Sequence, residues 1–349
     1  MKTNSLLFVL LFLVSTVTYS SQALKLTGSE WWGKSDSSKW QPGPQLDFEA
    51  EALLNNYEFS HDDVNGHTQF GWLMPVSVSY TNEEGARMRV GVLVTQQYGD
   101  IDNEQSFLGS YQIPFQQHQQ LLSFGTLASG HSVHPALLDV NDNLDGRLDQ
   151  GMEWQTDYSW LTSDLWIDWQ SILEQERSEQ FEIGWTSTWK FSRLRLHADV
   201  IANHVGGEGD RQYTQIRNYG SVVGAGVCLD ASGECHYEFG ALAINSVYSR
   251  DEAKDVSSNG VEVFMQQHGR IAENWQSSLR GRAYIGDPVV TLNGYAGYQM
   301  GDFVAADLWF LYTGFQDVQL ELGTSLQSTD EGLQTTQTIS LNWQFKHPF

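Results

Sequence analysis

The most constraining feature of this chain is an unbroken train of short alternating segments that begins near Leu46 and continues to the last residue. The pattern is plainest in the C-terminal third. Val261, Val263 and Met265 alternate with Glu262, Phe264 and Gln266, and Leu279, Gly281, Ala283 and Ile285 alternate with Arg280, Arg282 and Tyr284. Val304, Ala306, Leu308, Phe310 and Tyr312, then Val318, Leu320 and Leu322, continue the same rhythm. A period of two puts successive side chains on opposite faces, so these are half-buried strands rather than helices. Gly286-Asp287-Pro288, Gly301-Asp302, Gly314 and Asp330-Glu331-Gly332 supply turns between them. Read upstream in the same way, the chain offers 17 candidate strands, one of them over 288–299.

Beyond residue 23 no apolar run approaches the ~18 residues that a helical span requires. Residence in a membrane would therefore have to be as a closed barrel, the other structure that satisfies its own backbone in lipid. Composition agrees, with 32 Gly, 13 Trp, 14 Tyr and 17 Phe against 7 Pro, and a mean hydropathy of −0.37. Barrels are this polar because only alternate residues meet lipid. A soluble sandwich or propeller would also alternate. Three features weigh against one: Trp and Tyr cap the apolar faces as interface girdles do, the segments run to about 10–12 residues rather than sandwich length, and the chain closes on an aromatic strand. The expected fold is an all-β, transmembrane, antiparallel up-and-down barrel of about 16 strands, within a range of about 12–18, because single-chain bacterial barrels have even strand numbers.

Lys2, the apolar run Leu6–Val14 and a small-residue site at Ser21 and Ala23 read as a cleavable signal peptide over 1–23. Residues 24–44 form a polar, irregular lead, and 45–349 form the barrel. The net charge of −24 argues against nucleic acid as a partner, since that needs a basic surface. Cys228 and Cys235 enclose a short Gly-containing segment, which in an exported protein predicts a disulfide-pinned loop.

The last strand, with Ile339, Leu341, Trp343 and Phe345 at alternate positions and Phe349 at its end, resembles the C-terminal signal of Gram-negative outer-membrane β-barrel proteins. His347 and Pro348 depart from that pattern. The resemblance implies the bacterial outer membrane, contact with its lipid and lipopolysaccharide, handling by the barrel-insertion machinery, and a porin-like protein as the default.

Several constellations carry chemistry. On the hairpin Met152–Trp169, alternation turns Glu153, Asp157, Asp164 and Asp168 inward, and a tight turn near Trp160 predicts Asp157 beside Asp164 and Glu153 beside Asp168. Like charges in cross-strand contact destabilise, so such a ladder must be wet, partly protonated or neutralised. Arg193, Arg195 and His197 on one strand and Arg280 and Arg282 on another are the candidate neutralisers. Opposed acidic and basic walls orient charged solutes in channels. Paired carboxylates also suit glycoside hydrolysis.

Asn141, Asn143, Asp145 and Asp149 with Gly146 imitate the spacing of a calcium loop, although position 12 is Met152 and the acid comes one place late at Glu153. Gly130-His131-Ser132-Val133-His134 is superficially similar to a nucleophile elbow without its second Gly. His204-Val205-Gly206-Gly207 reads as turn chemistry, since no helix start or Lys follows it to bind phosphate. The preferred expectation is a non-enzymatic channel or binding pore for small or oligosaccharide-like solutes, lined by Glu153, Asp157, Asp164, Asp168, Arg193, Arg195, Arg280 and Arg282. The alternatives are an outer-membrane enzyme acting on lipid or lipopolysaccharide, with Ser132 as nucleophile, and a structural barrel without a pore.

Overall fold

Alternation becomes geometry through strand pairing. In the computed structural model, described over residues 37, 40–60, 67–98, 104–115, 119–127, 131, 133–138, 149–171, 179–206, 216–230, 235–250, 255–292, 296–315, 317–330 and 332–348, sixteen strands run in order. They are β1 (Gly43–Phe59), β2 (His67–Thr81), β3 (Arg87–Gln97), β4 (Glu104–Phe115), β5 (Gln120–Thr126), β6 (Gln150–Tyr158), β7 (Leu161–Ser171) and β8 (Gln180–Phe191). There follow β9 (Leu194–Val205), β10 (Ile216–Cys228), β11 (Tyr237–Arg250), β12 (Val256–Ala272), β13 (Trp275–Gly286), β14 (Phe303–Phe315), β15 (Val318–Thr329) and β16 (Leu333–Pro348). Each pairs antiparallel with the next, and β1 pairs with β16 from Gln45↔Pro348 to Phe59↔Gln334, which closes the barrel and leaves no free edge.

The period-two pattern decides which side chains meet lipid. Val261 and Val263 on β12 are exposed outward while Glu262 and Phe264, which alternate with them, are buried inside. The sixteen strands follow the sequence reading except at 288–299. That segment is not a strand but a connection whose last turn is a 3-10 helix, Ala296–Met300. It begins after Gly286 and crosses inward, with Val289 and Tyr298 both fully buried.

The connections differ at the two ends. Those at the end bearing the termini are short, such as 159–160, 192–193 and 273–274, whereas the opposite end carries 127–149 and 287–302. In outer-membrane barrels the short turns face the periplasm and the longer ones the outside. Cys228 and Cys235 form the expected disulfide, with Cα atoms 5.2 Å apart, across the β10–β11 turn at the terminal end. The residues of the expected signal peptide, most of the lead, and Phe349 lie outside the described residues.

The described parts of the two long connections lie in the lumen and meet there. Leu127, Val133, Ala136 and Leu137 from the first, with Val289 and Tyr298 from the second, join one apolar cluster with Trp166, Ile201, Val222, Leu242, Ile244 and Phe264 on the inner wall. Thr291 Oγ1 donates to the Ala136 carbonyl at 3.1 Å, and Leu292 N donates to Asn218 Oδ1 at 3.0 Å. Burying these apolar groups drives the infolding, and hydrogen bonds to wall residues satisfy the backbone that comes with them.

Candidate functional site

Leu127, His131 and residues 133–138 lie inside the barrel and bring two histidines with them. His131, 2% exposed, lies flat against Trp166, with ring centroids 3.8 Å apart and planes 5° from parallel. Trp166 can lie inward against the sheet because its neighbour on β8 is Gly184, where a Cβ would stand 1.8 Å from the indole. The indole Nε1 donates to Glu182 at 3.2 Å, which fixes the platform.

Carboxylates surround the ring edge. Nδ1 lies 2.9 Å from Asp164 Oδ2 and 3.4 Å from Glu153 Oε1, and Nε2 lies 3.7 Å from Asp149. Burial by itself lowers the pKa of His131, but the charges of Asp164, Glu153 and Asp149 outweigh it and raise the imidazole to about 9. At neutral pH the ring is an imidazolium, with Asp164 holding Nδ1. Nε2 is buried and makes no hydrogen bond.

His131, Glu153 and Asp164 place one donor atom each within 4.8 Å, the spacing at which a cation can be held. Calcium seeks six to eight oxygen ligands, so a set that includes an imidazole nitrogen does not suit it. Of the expected calcium ligands, Asp149 stands beside His131, while Asn141, Asn143 and Asp145 lie outside the described residues, as does Ser132.

His134 belongs to a second cluster. Its backbone N donates to Asp199 at 2.9 Å, and its Nε2 lies 3.4 Å from Glu262. Ala136 N donates to His134 Nδ1 at 3.3 Å, which leaves the ring proton on Nε2, facing Glu262. Glu262 also accepts from Arg280 at 2.9 Å and from the Tyr298 hydroxyl. Arg282 ties to Asp307 at 3.0 Å and donates to Tyr298 at 3.0 Å. Burial first, then the Glu262 charge, keeps the Tyr298 phenol well above its ordinary pKa, so it stays a donor. This cluster fastens both infolded segments to the wall.

The sequence-derived residues therefore separate into three groups. Glu153 and Asp164 converge on His131, but the hairpin register differs from the expected one. Tyr158 pairs with Leu161 across a two-residue turn, so Glu153 stands opposite Trp166, Gln155 opposite Asp164, Asp157 opposite Thr162 and Gly151 opposite Asp168. No two of the four carboxylates face each other directly, and the cross-strand repulsion expected from sequence is avoided. Asp157 is exposed and accepts from Thr162, while Asp168 caps the backbone N of Gln150 at 2.6 Å.

Nor do the arginines neutralise this hairpin. Arg193 sits exposed in the β8–β9 turn rather than on the inner wall, and Arg195 is buried and donates to the Ser192 and Leu194 carbonyls. Arg280 and Arg282 serve Glu262 and Asp307. The role of His131 as the hub was not legible in advance. One signal pointed towards it: β10 and β11 are apolar on both faces, at Val222 and Val223 and from Ala241 to Ile244, and an inner apolar face needs something inside the barrel to cover it.

A closed sixteen-strand ladder with an apolar exterior and an interior rich in buried charge defines a bacterial outer-membrane β-barrel. Residues 38–302 match the lipid A 3'-O-deacylase-type family, and the chain belongs to it. No curated protein matches the sequence. Among solved structures, a loop-deletion form of OmpT, an outer membrane protein of Vibrio cholerae, is 10% identical, with a TM-score of 0.54 over 87% of this chain and 100% of that one. The anion-selective porin from Comamonas acidovorans is likewise 10% identical, with a TM-score of 0.52 over 87% and 100%. At this identity the likeness is one of fold.

Proposed function

We propose that this barrel is an outer-membrane hydrolase that removes an ester-linked acyl chain from lipid A, with His131 and Glu153 as the reacting groups. The observation that carries the reading is His131 itself: a buried imidazolium pinned through Nδ1 by Asp164, with a buried Nε2 that makes no hydrogen bond and lies 3.7 Å from Asp149. In ester hydrolysis, Glu153 takes the proton of the attacking water while the imidazolium stabilises the oxyanion on the carbonyl. Nε2 then gives its proton to the departing sugar oxygen, leaving a free fatty acid and the deacylated glycolipid. Family membership supports the substrate, and the stacked Trp166 and the Asp164 hydrogen bond supply orientation.

The test is mass spectrometry of lipid A vesicles incubated with purified protein. Wild type is expected to remove the 3'-O-linked acyl chain, and His131→Gln and Glu153→Gln to lose that activity while still migrating faster unheated than boiled. A folded wild-type barrel that leaves lipid A intact overturns the reading.

A second reading, a pore for small or oligosaccharide-like solutes, is favoured by one observation. The apolar cluster takes its wall residues from β7 and β9–β14 and none from β1–β4, β15 or β16. That side of the lumen carries polar groups instead, among them Asp47 bound to Arg87 at 2.7 Å, with Arg89, Glu49 and Glu51 beside them. Steady conductance in planar bilayers supports this reading, and its absence removes it.

A further inference from the structure

A proton does not exhaust what the groups around His131 can hold. Three acids, Asp164, Glu153 and Asp149, face one imidazolium, so the four groups together carry a formal charge of −2. Buried charge is costly unless it is compensated. A divalent ion in place of the Nδ1 proton reduces the excess to −1, the sum of three acids, a neutral ring and a dication. Among the described residues, no other three His, Cys, Asp or Glu side chains bring donor atoms together in this way.

The spacing of the donors selects the kind of ion. A tetrahedral ion with bonds of about 2.0–2.2 Å to nitrogen and oxygen keeps neighbouring donors about 3.3 Å apart. From Nδ1, Asp164 Oδ2 lies at 2.9 Å and Glu153 Oε1 at 3.4 Å, with all three donors within 4.8 Å of one another. Widening the first contact by about 0.4 Å meets that geometry. One imidazole with two carboxylates suits zinc and the similar borderline ions, whereas calcium and magnesium take oxygen throughout. The far side of the ring agrees with this. A histidine on a metal turns its remaining N–H towards a carboxylate or carbonyl, which fixes its tautomer. With Nδ1 on the ion that proton is on Nε2, where Asp149 stands 3.7 Å away. Trp166, stacked on the ring face, holds the plane in which Nδ1 points at Glu153 and Asp164.

We propose that His131, Glu153 and Asp164 bind a divalent ion of the zinc class in competition with the ring proton, and that the bound ion switches hydrolysis off. On binding, Nδ1 releases its proton to solvent and gives its lone pair to the ion, while Glu153 and Asp164 each supply one oxygen. Glu153 then has no free oxygen lone pair directed at a water, and the ring no longer offers a cation to the oxyanion. The switching-off rests on the hydrolase reading; the metal site does not.

The full chain, folded in detergent with Zn2+ as the only added metal and then freed of loose ions by gel filtration, tests the site by its metal content. About one ion per chain is expected, and His131→Gln is expected to weaken binding about tenfold or more, while His236→Gln, at the disulfide end, binds as wild type does. Wild type that retains no zinc, or binding that survives undiminished in His131→Gln, overturns the site. Should His131→Gln fail to assemble, X-ray absorption of the wild-type zinc form makes the same test. A shell of one imidazole with oxygen ligands is expected there, and a shell with sulfur or with two imidazoles overturns the assignment. Hydrolysis of lipid A vesicles is then compared with a chelator and with Zn2+. A loss of about tenfold or more on adding zinc, restored by the chelator, is the expected result. Bound zinc with hydrolysis unchanged or raised keeps the site and overturns the switching-off. Bound zinc in a chain that leaves lipid A intact even with the chelator keeps the site and removes the hydrolase.

Discussion

Raising the pH through the titration of His131 perturbs a single buried charge, and the size of the effect follows from its surroundings. The imidazole has an ordinary pKa of 6.5 and is held at about 9 in the folded barrel. A pKa raised on folding means that the folded state holds the proton more tightly. The contribution is therefore complete below about 6.5 and disappears as pH rises through about 9. At 1.36 kcal/mol for each tenfold change in proton affinity, the interval corresponds to about 3 kcal/mol. Denaturant unfolding in detergent with a chelator present, at pH 6 and pH 10, measures it by comparing wild type with His131→Gln. Wild type is expected to lose about 3 kcal/mol more than the variant between these limits. Hydrolysis should fail over the same upper range, because the proton that leaves is the one given to the departing oxygen. Equal pH dependence in the two proteins would refute the argument, since it would mean that Asp164, Glu153 and Asp149 do not hold a charged ring.

Glu262→Gln should cost about 3–5 kcal/mol, the price of breaking a buried ion pair, because Arg280, His134 and Tyr298 all converge on that carboxylate; an unchanged unfolding midpoint would show that apolar packing alone holds the infolded segments. Replacing Cys228 and Cys235 together by Ser should lower stability by about 2–3 kcal/mol through the unfolded-state entropy of a short loop, and should leave hydrolysis unaltered, because the bridge lies at the opposite end of the barrel from His131. Loss of hydrolysis in that variant would show that the two ends are coupled.

The alternating pattern by itself determined the barrel. Once Val261 and Val263 point to lipid, Glu262 and Phe264 point inward, and this parity is local, set by the pleat of one strand. Sixteen of the candidate segments could be read this way because each carries enough of the period to fix its two faces. The short enclosed segment between Cys228 and Cys235 was legible for a similarly local reason. The segment over 288–299 misled because its apolar residues serve a contact across the lumen, where Val289 and Tyr298 pack against the far connection, and not a strand face.

The site needed tertiary structure. Glu153 and Asp164 belong to one hairpin, but whether they face each other depends on where its turn lies, and a two-residue turn at 159–160 moved every partner away from its expected place. His131 stands 33 positions before Asp164 and reaches it only because Leu127, Val133 and Leu137 find apolar wall residues inside the barrel. No periodicity records such a meeting. Strand faces are written residue by residue, whereas the inward placement of Leu127, His131 and residues 133–138 was decided by the burial of side chains contributed by many strands at once.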